Sequence, residues 1–289
     1  MPSSSVCGGP RPATTEAATT GALIALLAVA VVAGVFGSML GVGGGIIMVP
    51  MLSLVFGVPI KVAIATSIVC VIATSSMAQT TFVSRGMTNI RLAMLLEVAT
   101  TVGAVVGGVT AVLIDGRVLQ FCFVAVLVYV AWQMNRRGGD VTPARTGVLE
   151  AAYYDPAAGH DVEYGVHGVR LGFGLSLGAG SVSGLLGVGG GAFKVPIMNL
   201  LMGVPLKATI ATSNLMIGIT AAAGAAIFYG RGYIDPYYAV PAALGILAGA
   251  RLGPRFAMRL SARALGIIFQ VVLVVFAVLM LLEGLGLGQ

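Results

Sequence analysis

Charge is scarce in this chain. Only 9% of its 289 residues are Asp, Glu, Lys or Arg, against about 25% in a typical soluble domain. A water-facing surface cannot be built from so little charge, so a soluble globular protein is excluded. Histidine is almost absent as well, with two residues. His160 and His167 both fall in a polar connection without Cys or carboxylates at ligand spacing, which argues against a metal site. The three cysteines, Cys7, Cys70 and Cys122, are an odd number without paired spacing. Cys70 and Cys122 sit in apolar runs as small hydrophobes rather than disulfide partners. Cys7 has no apolar run before it, so a lipoprotein signal is not expected. Residues 1–19, rich in Ser, Pro, Thr and Ala, read as a disordered tail. No hydrolase, zinc-protease or phosphate-loop signature occurs, and neither an enzyme nor a cofactor is expected.

What fills the chain instead is apolar residue, 58% of the total. Several uncharged runs are long enough to cross roughly 30 Å of hydrocarbon. The net charge of +6 comes from Lys and Arg in short loops between those runs. That is the positive-inside bias of a polytopic membrane protein, not a nucleic-acid footprint, and nucleic acid is excluded as a partner.

Glycine organises the rest. Gly41-Val42-Gly43-Gly44-Gly45, then Val49-Pro50, Gly57-Val58-Pro59-Ile60-Lys61 and Ala65-Thr66-Ser67, returns 146 residues later. The second copy reads Gly187-Val188-Gly189-Gly190-Gly191, Val195-Pro196, Gly203-Val204-Pro205-Leu206-Lys207 and Ala211-Thr212-Ser213. Without gaps, residues 41–86 and 187–232 agree at 20 of 46 positions, so the chain is a duplication. The expected organisation is an all-α membrane protein with repeat 1 at 20–134 and repeat 2 at 168–284. A cytoplasmic connection at 135–167 carries a small β-hairpin turning at Asp155–Gly159.

Each repeat is expected to hold a glycine-broken re-entrant helical hairpin and three transmembrane helices. The apolar runs lie at about 60–83, 90–114, 117–134, 206–229, 234–252 and 263–283. The pieces after the glycines, from Ile46 and Ala192, are about 16 Å long as helices, too short to span. Placing the arginine-rich stretches 135–146 and 251–263 inside leaves an odd number of crossings per repeat. Arg85 and Arg231 then fall on opposite faces, and the halves are inverted, as in many secondary transporters.

Broken backbone survives in a membrane only where protein or a wet cavity satisfies it. The two turns should meet near the midplane and aim helix N-termini, with their free N–H groups, at an anion. The candidate substrate-binding residues are Gly43, Gly44, Gly45, Ser67, Gly189, Gly190, Gly191, Lys194, Ser213 and Asn214. The bland alternative is that the glycines serve helix packing. The Ser and Thr hydroxyls could equally bond their own helices. Lys194 stands where repeat 1 has Met48, and either binds the anion or snorkels to an aqueous edge. Glu97, opposite Ala243, is a candidate coupling carboxylate or another snorkelling group. Lys61 and Lys207 read mainly as interfacial anchors. A leucine at Gly191 is expected to abolish ligand binding while the protein still accumulates.

The doubled Gly-Val-Gly-Gly-Gly…Val-Pro and Gly-Val-Pro-x-Lys…Ala-Thr-Ser, with Gly249-Ala250-Arg251-Leu252-Gly253, resembles the TauE/SafE family over essentially residues 20–284. The resemblance implies a multi-pass permease of the bacterial inner membrane that exports sulfite or an organosulfonate such as sulfoacetate. An anion channel-like pore, or a carrier of another small anion or of a metal cation, stays open as an alternative. Expected partners are the small anion, membrane lipid and, left open, further copies of the chain.

Overall fold

The computed structural model describes residues 13–136, 148–155, 159–259, 270–271 and 274–282. The first helix, α1, runs Ala13–Leu40 and stops at the first glycine turn. It starts before the expected boundary at residue 20; residues 1–12 of the expected tail lie outside the described residues. After the turn comes α2, Gly45–Pro50, which continues as a π-helical segment Met51–Val55. Then follow α3 (Ile60–Ser84), α4 (Ile90–Leu113) and α5 (Gly116–Arg136). The second half repeats the series as α6 (Val169–Leu186), α7 (Gly191–Pro196) with its π-helical continuation Ile197–Leu201, α8 (Leu206–Gly230) and α9 (Pro236–Arg259). Of the last expected run, residues 270–271 and 274–282 are described and helical.

Five of these helices are long and apolar enough to cross a membrane among the described residues: Gly21–Leu40, Ile60–Ser84, Ile90–Leu113, Val169–Leu186 and Leu206–Gly230. The first and fourth were expected as halves of hairpins, yet each has spanning length. The chain turns sharply after each of them. At Gly37 a Cβ would overlap Gly44, and the N–H groups of Val42 and Gly43 both donate to Gly37 O. In the second half the His167 N–H donates to Met202 O at 3.0 Å, so the start of α6 and the end of its return segment are joined.

The π-helical segments have a local cause. Pro50 and Pro196 lack the N–H that would continue the α-helical ladder. The register behind them widens, with Phe56 N–H reaching Met51 O at 3.4 Å and Met202 N–H reaching Ile197 O at 3.1 Å. Equivalent caps start the long helices: Asn89 Oδ1 accepts from Leu92 N–H at 3.1 Å, and Asp235 Oδ1 from Tyr237 N–H at 2.9 Å.

The halves are interlocked rather than side by side. α1 packs most extensively on α9, α6 on α4, and α3 on α8. Both outer pairs are close-packed through glycine. A Cβ at Gly245 or Gly249 would overlap the carbonyls of Leu27 or Val31, and one at Gly103 or Gly107 those of Leu177 or Ser181. Without Cβ the backbones come together, the small-residue packing known in bilayers.

The β-hairpin is present. β1 (Val148–Asp155) pairs antiparallel with β2 (His160–Val166), Asp155 opposite His160; positions 156–158 of the expected turn lie outside the described residues. Tyr153, Tyr164 and Val166 bury against Phe82, Met87, Leu92, Met202 and Val204. Burial pushes the Tyr164 phenol above the usual tyrosine range. Lys61 lies elsewhere, with Val112 and Tyr233: its Nζ donates to Val112 O at 2.9 Å and stands 5.8 Å from the Tyr233 ring centroid.

Candidate functional site

The two glycine turns are in direct contact. Gly41, Gly43 and Gly44 have φ of 69°, 84° and 73°, and Gly187, Gly189 and Gly190 have 69°, 78° and 70°. Side chains rarely adopt these left-handed angles. The contact needs glycine too: a Cβ at Gly45 would stand 2.7 Å from Gly187 O, and one at Gly191 would overlap Gly41 O. Gly43 and Gly189 both face Val71 and Ile217. All residues from Gly41 to Pro50 and from Leu186 to Ala192 are buried. Gly191→Leu therefore breaks the seam between the turns. The expected separation of lost binding from intact protein does not hold at that position.

Serine ties each half to the other. Ser67 Oγ donates to Gly187 O at 2.9 Å, and Ser213 Oγ to Gly41 O at 2.8 Å. Their bonds cross the seam instead of returning to their own helices. Asn214 Nδ2 donates to Ser38 O at 3.2 Å and Ile210 O at 3.0 Å, while its Oδ1 has no partner among the described residues. The N–H groups of Gly45 and Ile46, and of Gly191 and Ala192, have no acceptor among the described residues. The turn carbonyls are thus supplied with hydroxyl donors while N–H groups stay open, which suits a negative ligand.

Lys194, four residues beyond Gly190, and Glu97 on α4 form a second constellation. They stand 3.4 Å apart (Nζ to Oε2), with the residues 1% and 4% exposed. The edge-seeking reading of both side chains is overturned by this burial. Lys194 Nζ also donates to Thr220 Oγ1 at 2.6 Å, and Thr220 Oγ1 donates to Glu97 Oε1 at 2.6 Å. Thr100 and Thr101 hydroxyls reach the carboxylate at 2.8 and 3.2 Å. The sequence reading weighed Lys194 and Glu97 separately and missed the threonines. Thr100 and Thr101 stand three and four residues after Glu97, on its own helix face, a signal that was available.

Two curated relatives are similar along nearly their whole length. The "Probable membrane transporter protein YunE" of Bacillus subtilis is 24% identical over 271 residues, covering 91% of this chain and 98% of the relative. The "Probable membrane transporter protein MJ0441" of Methanocaldococcus jannaschii is 26% identical over 273 residues, covering 89% and 94%. No solved structure matches. The family model "Sulfite exporter TauE/SafE" matches residues 26–280. With its doubled glycine turns and its apolar helices of spanning length, this multi-pass membrane protein belongs to the TauE/SafE sulfite exporter family of transporters.

Proposed function

We propose that the chain is a secondary carrier that exports sulfite or an organosulfonate such as sulfoacetate across the bacterial inner membrane by alternating access. Gly43, Gly44, Gly45, Gly189, Gly190 and Gly191 hold the anion at the midplane. Ser67, Ser213, Asn214 and Lys194 complete the site, and Glu97 couples it. The observation that carries the reading is the meeting of two turns whose open N–H groups come from both halves, next to a buried ammonium.

Inverted, re-entrant halves are one architecture that supports alternating access, and the loop neighbours support that arrangement here. Met87 and Val204 share the β-hairpin end, whereas Ile60, Gly116 and Tyr233 lie together elsewhere. Equivalent loops, 57–61 and 203–207, thus keep different company. The hydrogen bond between His167 and Met202 supports a hairpin that enters and leaves on one side. An inside-negative potential favours anion export by about 2.3 kcal/mol per charge per 100 mV.

Purified protein in detergent would be tested by thermal shift and calorimetry against sulfite, sulfoacetate, other short sulfonates, sulfate, acetate and divalent cations. Saturable stabilisation by one sulfur anion is expected. A response to cations alone would refute the reading and favour a cation carrier, the chemistry to which the unpartnered Asn214 Oδ1 points.

A further inference from the structure

We propose that the Glu97 carboxylate is a resident anion seated on Lys194 and Thr220, and that a substrate anion replaces it only as Glu97 accepts a proton. Proton and anion then cross together. The inference rests on the reading of the chain as a carrier of small anions.

The seat is built for an oxyanion. Glu97 receives one ammonium and three hydroxyls: Lys194 Nζ at 3.4 Å, Thr220 at 2.6 Å, Thr100 at 2.8 Å and Thr101 at 3.2 Å. A sulfite or sulfonate group likewise presents several oxygens around one centre and needs several donors. Lys194 has three ammonium protons and two acceptors, Thr220 and Glu97, among the described residues. One donor is left for an incoming group. α7, which carries Lys194, begins at the turn whose Gly191 and Ala192 N–H groups are open.

The fold itself does not require the pair. At the equivalent positions of the other half stand Met48 for Lys194, Ala243 for Glu97, Ile246 for Thr100 and Leu247 for Thr101. Only Thr74, the counterpart of Thr220, keeps its hydroxyl; each reaches its own helix, at Cys70 O (2.9 Å) and Met216 O (3.0 Å), and only Thr220 also meets charged groups. The same backbone arrangement is therefore filled with apolar side chains once and with charges once. Burying two ions costs several kcal/mol each, and their attraction repays it only in part. The charges are retained for chemistry.

Charge balance dictates the step. The resting seat holds one ammonium and one carboxylate and is neutral. A monoanion arriving without a proton would leave a net negative charge in a low-dielectric interior beside a second anion. With proton uptake, the carboxylate becomes a carboxylic acid, the ammonium pairs with the substrate, and the seat stays neutral. When the anion leaves, the proton leaves with it and the pair reforms. A monoanion moves without net charge, while a dianion carries one negative charge, so the membrane potential assists export of the dianion alone.

No other charged group competes. Glu97 and Lys194 are the only buried charged side chains among the described residues. Arg91 on α4 and Arg170 on α6 are exposed near the helix starts, Lys207 is half-buried at the start of α8, and Lys194 is the one charge on α7. Because the anion-bound form holds the extra proton, affinity must rise as pH falls.

Calorimetry with sulfoacetate and methanesulfonate, whose charges are constant across the neutral range, tests this in the full chain. Titration of the wild-type protein in two buffers of different ionisation enthalpy is expected to show about one proton taken up per anion bound, and about tenfold weaker binding per pH unit of rise. Glu97→Gln should bind at least as tightly, with no proton uptake and no pH dependence. Lys194→Met should lose binding. Wild-type binding without proton uptake, or a Glu97→Gln protein that keeps the wild-type pH dependence, would overturn the proposal and leave the carrier reading standing. Failure of the wild type to bind any sulfur anion would overturn both. The two-buffer measurement needs no variant, so a misfolded Glu97→Gln protein does not protect the idea.

Discussion

Replacing Lys194 by methionine, the residue its counterpart Met48 already is, leaves Glu97 buried at 4% exposure with hydroxyl donors but no counter-charge. Removing one partner of a buried pair costs about 3–5 kcal/mol. An independent bound comes from neutralisation. Protonating an ordinary glutamate at neutral pH costs about 3.7 kcal/mol, because each pH unit is worth 1.36 kcal/mol. The loss in Lys194→Met should therefore lie near 3–4 kcal/mol and shrink as the pH is lowered. Glu97→Gln alone strands the ammonium on Thr220 and should cost about as much. The double variant carries no buried charge. The amide oxygen introduced by Glu97→Gln would still accept from the threonines, and methionine fills a site that its twin shows to be compatible with this backbone. It should come within about 1 kcal/mol of wild type. Reversible unfolding in mixed micelles, followed by the helical circular dichroism signal, yields the double-mutant cycle. A coupling of at least about 3 kcal/mol is expected. Should the double variant be as unstable as the sum of the singles, or Lys194→Met lose under about 1 kcal/mol, the pair would not be acting as a mutually compensating buried ion pair.

Three further outcomes are expected. Gly249→Val drives a side chain into the Val31 carbonyl, a backbone atom that cannot swing away. It should lower stability by about 1–3 kcal/mol, whereas Gly230→Ala, with nothing within 4 Å, should be neutral in the same unfolding assay. Ser67→Ala and Ser213→Ala each strip a hydroxyl from a glycine carbonyl of the opposite turn. Each should cost about 1 kcal/mol and slow sulfonate flux into vesicles by a similar factor; one silent and one crippling variant would contradict the equivalence of the turns. Cysteines at Ser84 and Gly230, exposed and equivalent in the two repeats, should react with an impermeant thiol reagent from opposite sides of the membrane in a background lacking native cysteine. Labelling from one side would refute the inverted arrangement.

Much of this was legible because it is local or repeated. Apolar runs, Gly-Val-Pro breaks and the constant offset fix where helices stop, and the antiparallel hairpin follows from two short strands around Asp155 and Gly159. The meeting of the glycine turns follows from the duplication itself. Three features were not legible. The π-helical segments depend on how the ladder recovers behind Pro50 and Pro196, which residue type alone leaves open. The exchange of partners, α1 on α9 and α6 on α4, is a three-dimensional consequence of interlocking, although the four-residue spacing of Gly245, Gly249 and Gly253 marks the face involved. The pairing of Glu97 with Lys194 joins residues 97 apart, and no local rule reaches that far. What local rules could reach, the threonines beside Glu97, was overlooked because threonine in a membrane helix usually satisfies itself.

The pattern of divergence between the repeats separates constraint from chemistry. Ser67 serves Gly187 and Ser213 serves Gly41, so each serine is held in place by the other half's turn. A change in one repeat damages a contact owned by both. Such residues stayed alike after duplication: the turn glycines and the two serines. Some of the positions that parted are polar in one repeat and apolar in the other. Asn214 faces Ile68 in the alignment of the repeats, Gln79 faces Ala225, and Glu97 and Lys194 face Ala243 and Met48. Gln79 and Asn214 spend their amide donors on backbone carbonyls at 2.7–3.2 Å, Ala211 for one and Ser38 and Ile210 for the other. Those two amides are accounted for as braces between segments. The charged pair joins one residue from each half, and its counterparts Met48 and Ala243 carry no charge; under the proposed exchange, handling a proton and an anion is the work that explains charges at one such place and not at the other.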